Sequence, residues 1–204
     1  MNAVTGILYA ICSTLLVPVV IVLLAFLAWT VVLLGGFLRE LLQRRRLRGL
    51  LNDCIAAARR RDPWESILAR MRRGPSGPVS AFCRRVEPGE PDPAALGHAL
   101  SSIEHEISGS MAKLSFLTRS GPMLGLMGTL IPLGPALMGL SSGNTRSLAQ
   151  NLVVAFATTV IGVLIGILAY GMGLARRAWY AHDLDDLERV CEHLEGRKAG
   201  RDAA

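Results

Sequence analysis

The chain has 204 residues, of which 51% are hydrophobic and 19% are charged, and its formal net charge is +6. This composition is too apolar for a disordered chain or an ordinary water-soluble domain. The charges are also segregated: residues 1–38 contain no Asp, Glu, Lys, Arg or His, and residues 121–175 contain only Arg146. The basic excess flanks these apolar stretches, which indicates a membrane protein and argues against a nucleic-acid partner.

The first uncharged stretch predicts an N-terminal transmembrane helix within residues 1–38. Gly6 to Leu38 runs for 33 residues without a charge. As a helix it would measure about 50 Å, against roughly 30 Å of hydrocarbon, so we expect it to tilt or to project from the bilayer. A cleaved signal peptide is disfavoured because the N-terminus has no basic side chain and the apolar run is too long.

Residues 39–120 are predicted to form a polar helical region between the first and second spans. Residues 39–73 have apolar side chains at helical spacing and arginines on the other face, which predicts one basic helix or a helix pair. Arginines 44–46 either contact anionic lipid headgroups or only fix the topology, and we favour the second interpretation. Segments rich in Pro and Gly at 74–78 and 87–93 predict breaks.

A longer helix is predicted from Pro93, with Asp92 as its N-terminal cap. Apolar residues recur every three or four positions up to the membrane edge, which predicts a packed stripe continuous with span two. Its members are Leu96, Leu100, Ile103, Ile107, Met111, Leu114 and the pair Phe116/Leu117. The polar residues between them, His98, Glu104, His105 and Glu106, are expected on the surface.

Residues 121–175 predict a transmembrane hairpin, with span two at 121–140 and span three at 152–175. The link between them has the composition of a turn, so the spans must be antiparallel. Lys and Arg cluster after span one, before span two and after span three, the last at the start of the tail 176–204. The positive-inside rule therefore predicts an outer N-terminus, with residues 39–120 and the C-terminus in the cytoplasm.

The cysteines carry no signal of a metal site or cofactor. Cys54, Cys83 and Cys191 are expected in the reducing cytoplasm, and Cys12 in the membrane. No Cys/His spacing matches a metal motif, so free thiols are the favoured interpretation. The sequence also lacks a phosphate loop and a nucleophile elbow, so we expect no catalytic residues and no enzyme activity.

Small or helix-perturbing residues form one stripe on each hairpin span. In span two they are Gly121, Gly125, Gly128, Pro132, Pro135 and Gly139, and in span three Ala155, Thr159, Gly162, Gly166, Ala169 and Gly173. Small residues at steps of three and four let helix backbones approach closely in a bilayer. The two stripes predict tight helix packing, within one subunit or between subunits.

The second informative feature of the predicted hairpin is the presence of hydroxyl groups together with the absence of ionisable side chains from its spans. Thr129, Thr158 and Thr159 lie near mid-membrane depth. A helical Thr usually bonds its own backbone, but three at similar depth are also compatible with a narrow polar path. No span contains an ionisable residue, although such residues usually carry proton relays. If this chain conducts ions, another chain must supply the titrating group.

Two segments of the hairpin resemble motifs of one family. Residues 120–130, SGPMLGLMGTL, resemble the APxLGLLGTVxG signature of the MotA/TolQ/ExbB proton channel family. Residues 155–162, AFATTVIG, resemble its last-helix motif in the form ALxATAIG or ALLTTFYG. The order of spans and polar regions is also similar.

The resemblance implies an all-α homopentamer in the cytoplasmic (inner) membrane, in which the last two spans of each subunit line a central pore. It implies a single-span ExbD/TolR/MotB-like partner whose membrane Asp binds the ion, and a stator role in a motor complex that couples ion flow to work. Thr129, Thr158 and Thr159 match motif threonines and would line the pore. Gly125, Gly128 and Gly162 match motif glycines and, with Gly121 and Gly166, would pack the helices.

The sequence departs from the family pattern at two positions. Val154 stands where the TolQ/ExbB branch has a Glu, and Pro132 replaces an expected Gly. These departures leave a non-conducting oligomeric scaffold of the same fold as the alternative. A substrate transporter is disfavoured because the chain has few spans and no internal repeat. The ion, the process driven and the exact subfamily stay open.

Overall fold

A computed structural model of the chain describes residues 3–60, 64–72, 78–86, 93–141 and 143–202. In these ranges the chain is helical and has no strand, which confirms the predicted all-α class. The helices are α1 (Ala3–Arg59), α2 (Trp64–Arg72), α3 (Pro78–Arg85), α4 (Pro93–Ser141) and α5 (Thr145–Asp202). The proposed Asp92 cap and most of the two predicted linkers lie outside the described residues.

Three of the helices are long and apolar enough to cross a membrane. The candidate spans are Thr14–Arg44 in α1, Ala94–Ser141 in α4 and Thr145–Glu192 in α5. The prediction of three helices able to span a membrane is therefore confirmed, and the bounds of the spans stay predictions. Helix α1 continues without interruption past the first span to Arg59, so the basic segment after Leu38 begins as an extension of the membrane helix.

Helix α4 joins α5 through a tight connection that caps both helices. Gly143 has a φ of 76°, a conformation that glycine adopts without a steric penalty. The backbone N–H groups of Gly143 and Asn144 donate to the carbonyls of Leu140 and Gly139, which closes the end of α4 in a Schellman motif. The Asn144 side chain accepts from the Ser147 backbone N–H at 3.1 Å and caps α5. This geometry makes the adjoining parts of α4 and α5, residues 121–175, an antiparallel hairpin.

The chain folds into two compact units, each built from separate stretches of sequence. The first unit comprises Met1–Gly36 and Lys113–Gly173, and the second comprises Phe37–Ala112 and Leu174–Ala204. The first has a small buried core of Leu23, Leu117, Ile165 and Ala169. Much of its remaining surface is apolar, with Val32, Val153 and Phe156 each at least two-thirds exposed. Such a surface requires lipid or other helices around it.

The second unit has the larger core, to which α1, α2, α3, α4 and α5 all contribute. Phe82 of α3 is its largest fully buried side chain, and α3 packs against α2. The predicted apolar stripe of α4 is buried here at Leu96 and Ile103, and its members Leu100 and Ile107 are partly buried against the same core. In the first unit the stripe continues to Leu114 and Leu117, whereas Phe116 is exposed. The four polar residues between the stripe positions, at 98, 104, 105 and 106, are exposed as predicted.

Three cysteines, Cys54, Cys83 and Cys191, lie in the core of the second unit without a disulfide bond. Burial raises the pKa of the Cys83 thiol from 9.0 to about 11, and the nearby Cys54 adds to the shift. Because the thiolate is the reactive form, Cys83 stays protonated and unreactive at neutral pH. This agrees with the interpretation of these residues as packed thiols.

Candidate functional site

The glycines predicted to pack the hairpin lie where the backbones of α4 and α5 approach each other closely. A Cβ atom added at Gly162 would lie 2.6 Å from the Gly121 carbonyl oxygen and 2.8 Å from the Gly125 Cα. A Cβ added at Gly125 would meet the Thr158 carbonyl at 3.1 Å. Since backbone atoms cannot move aside as a flexible side chain can, these positions tolerate only glycine without separation of the helices.

The close approach extends along the hairpin in both directions. Gly166 faces the ring of Pro122, whose Cγ would be 2.8 Å from an added Cβ. Near the connection, a Cβ added at Gly139 would lie 3.3 Å from the Cβ of Ser147. By contrast, Gly134 and Gly171 have open space at the Cβ position. The structure therefore separates the glycines of the interface from glycines that merely lie in the same helices.

Thr158 lies inside this interface. It is 4% exposed, and a Cβ added at Gly128 would come within 2.6 Å of its Cβ and Oγ1 atoms. Its hydroxyl donates to carbonyls of its own helix, with distances of 3.0 Å to Val154 and 2.9 Å to Ala155. The side chain of Thr158 thus fills the space that Gly128 leaves on α4.

Thr129 and Thr159 are placed differently, because both are partly exposed. The Thr129 hydroxyl donates to the Leu126 carbonyl at 2.7 Å, and the Thr159 hydroxyl to the Ala155 carbonyl at 3.3 Å. Each hydroxyl oxygen keeps lone pairs that can accept another hydrogen bond. The pore-lining role stays a prediction for all three threonines, and their burial and hydrogen bonds favour Thr129 and Thr159 over Thr158.

The second unit also contains a buried ionic cluster that sequence reasoning missed. Arg44 donates from Nη1 to Asp183 Oδ1 at 2.6 Å, and the two side chains are 8% and 2% exposed. Arg176 and Tyr180 both donate to Glu40 Oε2, at 3.0 and 3.3 Å. The cluster therefore connects α1 to α5 by charge-assisted hydrogen bonds.

Aromatic rings cover one side of the cluster. The Arg44 guanidinium lies 5.0 Å from the centroid of the Trp179 ring, and Trp179 stacks on Phe37 with centroids 5.2 Å apart. The sequence predicts Arg44 on a basic face, either toward lipid or as a topological signal, but the structure buries it against α5. The one signal in the sequence is the spacing of Glu40 and Arg44, four positions apart on one helix face.

Comparison with known families agrees with the motifs of the hairpin. The sequence profile of the MotA/TolQ/ExbB proton channel family matches residues 84–188, just over half of the chain. No curated protein and no solved structure matches the chain. The matched range includes all of the hairpin described above and the residues of α5 that reach the ionic cluster. This chain is a multi-pass membrane protein that belongs to the MotA/TolQ/ExbB proton channel family.

Proposed function

We propose that this chain is the ion-conducting stator subunit of an inner-membrane motor, and that it works with a single-span ExbD/TolR/MotB-like partner. Several copies, five by analogy with the family, would surround the partner's span. The partner would supply the acidic residue that binds the ion, and a proton is the expected ion. Force would reach the driven machinery through the partner.

The partly exposed residues Thr129 and Thr159 carry this proposal through their hydroxyl groups. They lie on adjacent helices of the hairpin, whereas Thr158 is enclosed by Gly128. In the hairpin, whose only charged residue is Arg146 in the first turn of α5, these two hydroxyls are polar groups available to a second chain. A carboxylate at their depth would be costly unless hydrogen bonds compensated it.

The two hydroxyls suit both states of a partner carboxyl group. A protonated carboxyl can donate to a threonine oxygen while the threonine keeps its bond to its own helix. An ionised carboxylate needs donors, and rotation about χ1 or of the hydroxyl would turn the threonine proton toward it. The threonine would exchange a bond to its own carbonyl for a charge-assisted bond, which limits the cost of each step.

A liposome assay tests the proposal. The chain would be purified with its partner, reconstituted and exposed to a proton gradient, with internal pH read by a dye. Thr129→Val with Thr159→Val keeps the side-chain volume nearly unchanged and removes both hydroxyls, so proton flux should fall at least tenfold. Thr14→Val is the matched control, because the Thr14 hydroxyl is bonded within α1 in the same manner and should not matter.

Unchanged flux in the double variant would contradict the pore assignment. If the double variant and the control both lose flux, a general folding defect would be responsible rather than the two hydroxyls. Replacing the proton gradient with a sodium gradient tests the identity of the ion in the same vesicles.

The alternative function is a non-conducting scaffold of the same fold. It is favoured by Val154, an apolar and partly exposed side chain at the position where part of the family has a Glu. The tight α4–α5 packing would serve this function equally well. A stable complex with the partner and no flux of either ion would support the scaffold over the channel.

A further inference from the structure

Three potential metal ligands lie on one face of α5, outside the hairpin. They are His182, Asp185 and Asp186, and one ligand atom from each lies within 4.8 Å of the other two. Their spacing of three and four residues places the side chains on the same helix face. His182 and Asp185 are exposed, whereas Asp186 is only 9% exposed. The proposed conduction makes no use of this group.

The burial of Asp186 is the second observation. Its carboxylate has no hydrogen bond or ion pair with any residue that the structure describes. Asp183 lies three positions earlier on α5. Asp183 itself is paired with Arg44 through Oδ1 only, and its Oδ2 atom is buried without a hydrogen-bond partner among the described residues. Arg44 is the counterion of Asp183, whereas the mostly buried Asp186 has no counterion among the described residues, so a bound cation would stabilise its charge.

The geometry points to a binding site for a first-row divalent transition metal ion, which we propose is held by His182, Asp185 and Asp186. One imidazole nitrogen and two carboxylate oxygens suit Zn²⁺ and its neighbours, whereas Mg²⁺ prefers oxygen ligands alone. Water would complete the coordination. Around one Zn²⁺ the ligand atoms lie roughly 3–3.5 Å apart, so small side-chain rotations would close the site.

Asp185 must exchange one partner to bind the ion. Its Oδ2 accepts from Arg189 at 3.0 Å, and both side chains are at least half exposed. Exposed pairs of this kind contribute little to stability, so a metal ion can displace Arg189 at low cost. The bound ion would fix one turn of α5 and neutralise the charge of Asp186 beside the Arg44–Asp183 pair.

Calorimetric titration of the full-length, metal-free protein in detergent with Zn²⁺ tests the site. We expect one saturable site per chain, no response to Mg²⁺, and at least tenfold weaker binding in His182→Ala and in Asp185→Asn. His98→Ala is the control, because His98 is exposed on α4 and outside the cluster, and its affinity should be unchanged.

Because His182 and Asp185 are exposed, both variants should keep the helical circular dichroism of the native protein. Absence of saturable Zn²⁺ binding would overturn the proposal. So would equal affinity in the native protein and in two correctly folded variants, since the ion would then be held elsewhere. The assay needs no partner and no ion flux, so its outcome is independent of the proposed function.

Discussion

The pair formed by Arg44 and Asp183 places two opposite charges in a nearly dry environment. Two nitrogen atoms of the guanidinium, Nε and Nη2, have no hydrogen-bond partner among the described residues, and the Trp179 ring lies against the group. A buried pair of this kind adds little net stability, because desolvation offsets most of the attraction. Removing Asp183 alone is costly, because the buried Arg44 then loses its hydrogen-bonded counterion and keeps only the longer 3.9 Å contact with Glu40.

We therefore expect Asp183→Ala to destabilise the protein by about 3–5 kcal/mol. The measurement is thermal unfolding in detergent, followed by the helical circular dichroism. Glu106→Gln is the control: Glu106 pairs with Arg85 at 3.0 Å, against 2.6 Å for the buried pair, and both side chains are exposed, so the change should cost less than about 1 kcal/mol. Replacing Arg44 and Asp183 together by leucine should restore most of the loss. Equal effects of Asp183→Ala and Glu106→Gln would contradict the buried-charge account.

The roles of the three threonines could be predicted from the sequence only in part. The depth expected for them in the membrane follows from the sequence, because charged residues delimit the predicted spans. The direction in which each side chain points does not follow from the sequence. Thr158 and Thr159 are adjacent, and only the register between α4 and α5 decides which of them meets Gly128. That register depends on contacts between distant residues. The sequence therefore identifies the candidate residues but cannot divide them into packing and accessible groups.

The packing of α4 on α5 depends on glycine at the positions where backbones meet. Gly162→Ala would place a methyl group 2.6 Å from the Gly121 carbonyl oxygen, so the helices would have to separate. We expect a loss of about 1–3 kcal/mol in stability, which is typical of overpacking. Gly171→Ala is the matched control on the same helix, and it should be neutral or stabilising by up to about 1 kcal/mol because alanine favours helix.

The comparison of the two alanine variants is made by thermal unfolding in the same detergent. A similar melting temperature for both would mean that the glycines of the interface do not limit the approach of the helices. A lower melting temperature for Gly162→Ala alone would agree with the geometry. Gly134→Ala, also in open space, extends the control to α4.

The long helices are predictable to different extents. The starts of α4 and of the hairpin connection follow from Pro93 and from the polar turn near Gly143, because these residues have strong local preferences. The uninterrupted course of α1 to Arg59 is less evident, since arginine is a good helix former inside or outside a membrane. The ionic cluster is beyond sequence reasoning, because Arg44 and Asp183 are 139 positions apart.

The whole molecule combines an apolar hairpin with a polar unit that has its own core. The hairpin contributes hydroxyls and tight packing but no acidic side chain. The large exposed apolar surface of the first unit requires surrounding lipid or further copies. The proposed assembly meets both needs: copies of the chain would cover part of this surface and enclose an acidic group supplied by the partner.

The most direct test of this account is an electron cryo-microscopy structure of the chain purified with its single-span partner in lipid nanodiscs. The account predicts several copies around the partner's span, with the Thr129 and Thr159 hydroxyls within hydrogen-bond reach of its acidic residue. A single copy, or hydroxyls directed toward the acyl chains, would contradict it.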